Sequence, residues 1–263
     1  MISVIALTHD RDKNLDFTMK CWVQQTFKDF ELNIFESGNL DSTIEILRKY
    51  KNDVKINCWR LHTKYVNKTY ALNFLANQSN GEFLLIWDVD LIKSKKCLEN
   101  CLKTIDNKSF VLECAKYMNS HLTNLVFEKK MSFEQIEKIE KENPEFFSKP
   151  GVHVPGQVFL SKTDFLAVGG LDEKMFGWGP EDSDFRDRLL RFGKEQKIEE
   201  CWSYHLEHSV KNNYQNTSFS SKTTNNKIYL ENTEKNIIIV DNSNISWKEN
   251  QWDQDVKPEK IEI

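Results

Sequence analysis

The sequence predicts an α/β fold, a single compact domain whose mostly parallel sheet is flanked by helices. Three observations carry that expectation. Short apolar runs alternate with helical patterns through the first half of the chain. A length of 263 residues suffices for a full hydrophobic core. With 39% hydrophobic and 29% charged residues, and only 9 Gly and 5 Pro, the chain is neither collagen-like nor broadly disordered.

The elements follow in order. Ile2–Leu7, Leu32–Phe35, Val54–Leu61 and Phe83–Trp87 are rich in β-branched, aromatic and leucine residues and read as strands. Leu15–Gln25, Thr43–Lys51 and Thr69–Gln78 between them read as helices, the last apolar nearly all round and therefore buried. Strand and helix in alternation mean parallel strands joined by crossovers, whose ligands bind at the carboxyl ends of the strands. That rule points to Thr8–Asp12, Glu36–Asn39 and Asp88–Asp90. Beyond, Glu128–Glu142 reads as one charged surface helix with Phe133, Ile136 and Ile139 facing the core. Pro150–Gly156 is a Pro/Gly-bounded loop, Gln157–Leu160 a short strand, and Pro180 to Phe192 a helix. The tail after about Asn212 is polar, with one apolar strand at Asn236–Val240.

A formal charge of −4, with 36 basic against 40 acidic residues and no basic block, excludes nucleic acid as the main partner. No run approaches the ~18 apolar residues of a membrane span, and the first residues read as a strand of the fold and not as a leader. A soluble cytoplasmic protein is the expectation. The six cysteines (Cys21, Cys58, Cys97, Cys101, Cys114 and Cys201) are dispersed, as expected of thiols in a reducing compartment. Cys97 and Cys101, four apart on a helix, could supply two metal ligands, but no matching pair follows.

Three motifs carry chemistry. Phe83-Leu-Leu-Ile-Trp-Asp88-Val-Asp90 is an apolar strand running into two aspartates, whose hard oxygens suit Mg²⁺ or Mn²⁺. On a strand, residues i and i+2 point the same way, so both carboxylates are expected to leave the sheet edge together with Val89 turned away. Of four Asp-x-Asp triplets in the chain, this one alone follows such a strand. In Gly177-Trp-Gly-Pro-Glu181-Asp182, two glycines flank a tryptophan, and Pro180 starts a helix with two acids in its first turn. Those acids could simply stabilise the helix dipole. An aromatic platform beside a carboxylate also suits a sugar hydroxyl and its proton. Cys201-Trp-Ser-Tyr-His205-Leu-Glu-His208 offers an imidazole, with His205 the first choice and His208 the second.

Together these residues resemble the GT-A glycosyltransferases, whose fold is Rossmann-like. The first half looks like the family 2 type, with Asp88-Val-Asp90 as its DxD motif. Gly169–Phe185 resembles the C-terminal motif of β-1,4-galactosyltransferases and bacterial chondroitin-polymerase-type enzymes. The resemblance implies a nucleotide-sugar-binding half at 1–115, an acceptor and catalytic half at 116–210 and a C-terminal extension at 211–263. It implies Thr8, Asp10, Arg11 and Glu36 around uridine, and Asp88 and Asp90 with His205 or His208 on the metal. Trp178 and Gly179 would face the acceptor, with Asp182 the base and Glu181 beside it. Two departures stand out. Glu36-Ser-Gly-Asn39 replaces the usual Asp-Asp-Gly-Ser, and Ala71-Leu-Asn73 replaces Ala-Arg-Asn, leaving Lys68 as the substitute cation for the donor. The expected function is inverting transfer of a hexose or N-acetylhexosamine from a UDP-sugar, with Mn²⁺ or Mg²⁺, to a saccharide or glycolipid acceptor in surface polysaccharide synthesis. Docking at the inner face of a membrane is compatible with that role. A sugar-nucleotide pyrophosphorylase would need a glycine-rich loop after the first strand, and Leu7–Asn14 has no glycine. A non-catalytic glycan- or partner-binding subunit is the competing reading.

Overall fold

The computed structural model describes residues 1–38, 42–61, 66–148, 157–177, 179–207, 218–243 and 257–263, apart from the side chains at 199–202 and 218–221. The apolar runs become strands β1 (Ile2–Thr8), β2 (Phe30–Glu36), β3 (Ile56–Arg60) and β4 (Phe83–Ile86). Helices α1 (Asp12–Val23), α2 (Ser42–Tyr50) and α3 (Lys68–Gln78) lie between them. β1 pairs in parallel with β2 and β4, and β2 in parallel with β3. The chain thus winds outward from β1 to β3 and returns to place β4 on the other side of β1. This reversal of strand order opens a crevice at the carboxyl ends of β1 and β4, where open α/β sheets bind ligands.

Beyond β4 come β5 (Leu91–Ile92), α4 (Cys97–Thr104), β6 (Ser109–Tyr117), α5 (Ser120–Lys129) and α6 (Phe133–Glu142). Then follow β7 (Val158–Ser161), α7 (Lys162–Ala167), α8 (Glu181–Arg191), β8 (Glu195–His205), α9 (Ser218–Glu234) and β9 (Glu259–Ile261). All nine strands form one sheet in the order β5-β8-β6-β7-β4-β1-β2-β3-β9. β7 runs antiparallel to both β4 and β6, so the sheet is mixed on that side.

Two apolar layers enclose the sheet. Leu15, Met19, Trp22, Leu98 and Cys101 pack on one face with Val4, Leu32 and Leu85. Leu72, Leu75, Phe165 and Phe185 pack on the other with Ile5, Phe35 and Ile86. A third cluster seats α5 and α6 on Tyr204 and Phe147. No helix among the described residues is long and apolar enough to cross a membrane.

Three expectations are corrected. The single helix at Glu128–Glu142 is the end of α5 followed by α6. Lys130 takes a left-handed φ of 50° at the end of α5, and Ser132 opens α6 through a capping box with Gln135. Only Ile136 of the expected stripe is fully buried. Asn236–Val240 is not a strand. Asn236 has a φ of 52°, and the run covers Val168 by one backbone bond from the Val240 N–H. The polar tail instead supplies α9 and the edge strand β9, which pairs antiparallel with β3.

Candidate active site

Three chain reversals meet at the crevice. After Ile86 the chain leaves the sheet, and the Leu91 N–H donates to the Asp88 carbonyl at 3.0 Å to close a tight turn. The Thr18 hydroxyl donates to the Val89 carbonyl at 2.9 Å and holds that turn against α1. Asp88 and Asp90 therefore share one cavity through a turn and not through strand alternation, and Val89 lines the same cavity. The second reversal brings β8 alongside. Leu91 pairs with His205, and the Leu206 N–H donates to the Asp90 carbonyl at 3.0 Å. His205 Nε2 consequently lies 3.5 Å from Asp90 Oδ1. The third is the start of α8, where Pro180 stands at the cap and Glu181 and Asp182 fill the first turn.

Lys68 joins two of these pieces. It opens α3, whose cap Asn67 accepts from the Tyr70 N–H at 3.2 Å. Its ammonium lies 3.1 Å from Asp88 Oδ1 and 3.4 Å from Asp182 Oδ1. Burial would lower the lysine pKa, but Asp182, Asp88 and Glu181 outweigh it and raise it well above the ordinary value. Burial raises the Asp182 carboxyl, with Lys68 opposing and Asp88 adding to the shift. Burial, reinforced by the Asp182 charge, pushes Glu181 up to about 8. Glu181 Oε2 is buried without a hydrogen-bond partner. Two neighbouring carboxyls with pKa values pushed upward are the raw material of proton transfer.

The cavity, about 730 Å³, is lined by Arg11, Lys68, Asp88, Asp90, Gly179, Glu181, Asp182 and His205. Thr8, Asp10 and Glu36 do not line it. Glu36 is buried and ion-paired with Arg60 at 2.8 Å, and Thr8 is its register partner at the end of β1. Asp10 packs against Gly38, where a Cβ would come within 2.7 Å of the Asp10 backbone nitrogen, so a larger residue there would displace the β1 end. Trp178 and His208 lie outside the described residues. Gly179 touches α9 closely: a Cβ there would come within 2.7 Å of the Asn225 side chain. Asn225 in turn accepts from the Phe176 N–H at 3.3 Å and donates to the Phe176 carbonyl at 2.8 Å.

The cavity also holds His9, within the Thr8–Asp12 stretch that the sequence pointed to, and further residues that sequence reasoning missed. His9 lies at the β1 end, bonded to the Ser37 hydroxyl at 3.0 Å, with burial lowering its pKa. Tyr117, at the end of β6, stacks on the His205 ring with centroids 4.4 Å apart. Phe146 and Phe147 form an apolar wall beside it. The signal for Tyr117 was the apolar run from Phe110, an unread strand whose end must face the same crevice.

The donor set fits a divalent cation. Two carboxylates and one imidazole open into one cavity, a combination suited to Mn²⁺ or Mg²⁺. Asp88, Asp90 and His205 are not gathered within 4.8 Å as a preformed cluster, since Asp88 turns to Lys68.

Residues 3–165 match the family model described as glycosyl transferase family 2. Residues 129–209 match that described as the N-terminal domain of galactosyltransferase. Validoxylamine A glucosyltransferase of Streptomyces hygroscopicus subsp. limoneus is 26% identical over 79% of this chain and 52% of its own length. Chondroitin synthase of Pasteurella multocida (strain Pm70) is 25% identical over 73% of this chain and 23% of its own. The chain thus spans about half or less of the length of these curated relatives. S. aureus TarS 1-349 in complex with UDP-GlcNAc superposes with a TM-score of 0.59 at 17% identity, over 82% of this chain and 61% of that one. Mannosyltransferase PcManGT from Pyrobaculum calidifontis, in complex with GDP-Man and Mn²⁺, gives 0.58 at 15% identity, over 81% and 59%. The fold is therefore that of the GT-A glycosyltransferases, and the chain belongs to glycosyl transferase family 2.

Proposed function

We propose that the chain is a metal-dependent, inverting glycosyltransferase that moves a hexose or N-acetylhexosamine from a UDP-sugar to a saccharide or glycolipid acceptor. One observation carries this reading: Lys68 bridges Asp88, at the end of the sheet, and Asp182, at the start of α8, inside one cavity. A cation-binding edge and a general base thus face each other across the space a sugar would fill. Asp88, Asp90 and His205 would hold Mn²⁺ or Mg²⁺, which when bound offsets the charge of a diphosphate leaving group.

Asp182 accepts the proton of the acceptor hydroxyl as its oxygen bonds to the anomeric carbon. The bond from that carbon to the diphosphate breaks on the opposite face, and UDP leaves with the electron pair. One base suffices, without a covalent intermediate. Glu181, whose carboxyl burial and the Asp182 charge push upward, would in its protonated form donate a hydrogen bond to the acceptor. Lys68 moves from the carboxylates to the diphosphate when donor enters. Tyr117, Phe146 and Phe147 form the apolar wall against which a saccharide stacks. Arg11, which lines the cavity, contacts the uridine, and Thr8, Asp10 and Glu36 shape the β1 and β2 ends behind it. Similarity to polysaccharide synthases supports a growing surface polysaccharide as acceptor.

Calorimetric titration of UDP, UDP-Gal, UDP-GalNAc, UDP-GlcNAc and UDP-Glc with Mn²⁺, with Mg²⁺ and with EDTA tests the reading. Metal-dependent binding strengthened by one sugar is expected. No binding of any uridine nucleotide under any condition would overturn it in favour of a non-catalytic role.

A further inference from the structure

We propose that Cys97, Cys101 and Glu113 form a second, fully buried metal site for a thiophilic divalent cation of the zinc class. The two cysteines stand one turn apart on α4, with relative exposures of 3% and 0%. Glu113 points at them from β6 and is 1% exposed. Cys97 Sγ lies 2.7 Å and Cys101 Sγ 3.6 Å from Glu113 Oε1, and all three donor atoms lie within 4.8 Å of one another. None of the three lines the active-site cavity.

The two oxygens of Glu113 divide their work. Oε1 faces the sulfurs, while Oε2 pairs with the buried ammonium of Lys93. Lys93 also donates to Gln157 Oε1, and Gln157 Nε2 is buried without a partner. This is a polar nest inside the layer formed by Trp22, Leu98 and Val111, where charge is costly unless balanced.

Zinc bonds of about 2.3 Å to sulfur and 2.0–2.2 Å to oxygen put tetrahedral ligand atoms roughly 3.5–3.8 Å apart. The Cys101 contact has that spacing already, and the Cys97 contact must open by about an ångström. The charges close as well. As the dication enters, each thiol loses a proton to solvent, so the net charge of the nest is unchanged, with Lys93 still offsetting Glu113. Lys93 then orients the carboxylate ligand from behind. A solvent molecule completes four-coordination. Such an ion would join α4 to β6.

The full chain, stripped by chelator, is titrated with Cd²⁺ in parallel with Asp88→Asn/Asp90→Asn, which disables the other cation site. One equivalent with a thiolate-to-cadmium charge-transfer band is expected in both. The band disappears in Cys97→Ala/Cys101→Ala and survives in Cys58→Ala. Should the double variant fail to fold, X-ray absorption of the zinc-loaded wild-type chain counts two sulfur neighbours at about 2.3 Å. A first shell without sulfur, or a band indifferent to the Cys97 and Cys101 substitutions, would overturn the site.

Discussion

At the scale of single residues, the proposed function assigns Lys68 to binding and Asp182 to chemistry, and the two can be tested apart. Replacing its ammonium should weaken donor capture without removing the base. Lys68→Met is expected to raise the calorimetric Kd for UDP-sugar about tenfold, equivalent to ~1.4 kcal/mol. Asp182→Asn cannot accept a proton, so turnover should fall by about 10²–10⁴ while UDP-sugar affinity holds. Retained turnover in that variant would remove Asp182 from its role. Asp184, in the same acidic run, does something different. It is buried against Arg188 at 2.7 Å, and Arg188 also donates to the carbonyls of Val168 and Gly170 at 2.8 Å. That third acid braces the glycine turn and takes no part in the cavity.

At the scale of elements, what could be read was whatever burial imprints on the chain. The first four strands and their crossovers show as apolar runs, and the Asp88/Asp90 pair shows because it follows one of them. The α9 helix left no such imprint. It is rich in Asn, Ser, Thr and Lys, has no apolar face to detect, and is held by side-chain bonds that pattern reading does not reach. Asn232 donates to Asp172 and Asp184 at 3.0 Å, and the Tyr229 hydroxyl donates to Asp187 at 2.7 Å. Glu113 was equally invisible as a partner of Cys97, because its meeting with α4 depends on sheet order and not on spacing. Asn225→Ala should cost about 1–3 kcal/mol in urea unfolding, through two bonds to Phe176 left unmade. Its turnover should drop more than its donor affinity, since it supports the Gly177–Glu181 segment and not the sheet edge.

For the whole molecule, two buried carboxylates set opposite pH limits. Glu31 ties β2 to Ser3 of β1, to Lys55 and to Asn80. Burial pushes its carboxyl up, but Lys55 and hydrogen bonds from Asn80, Ser3 and Asn33 outweigh it and hold it at about 2. The unfolded chain binds that proton near 4.5, so this stabilisation is whole above pH 4.5 and drains away as pH falls toward 2. Glu173 behaves in reverse. Burial raises it to about 7, so the folded state holds the proton more tightly and stability declines as pH climbs from 4.5 to 7. Urea midpoints measured from pH 2 to 8 should therefore peak between the two limits. Glu173→Gln should flatten the upper slope and Glu31→Gln the lower. The contacts of α9 also have a consequence in time. A ribosome delivers β1 to β4 first, and Phe176 and Asp184, on either side of Glu181 and Asp182, are made before Asn225 and Asn232, whose side chains bond to them. A nascent chain thus holds β1 to β4 and the start of α8 before the side chains that brace that start exist, and its first turn is fixed only once α9 has been made.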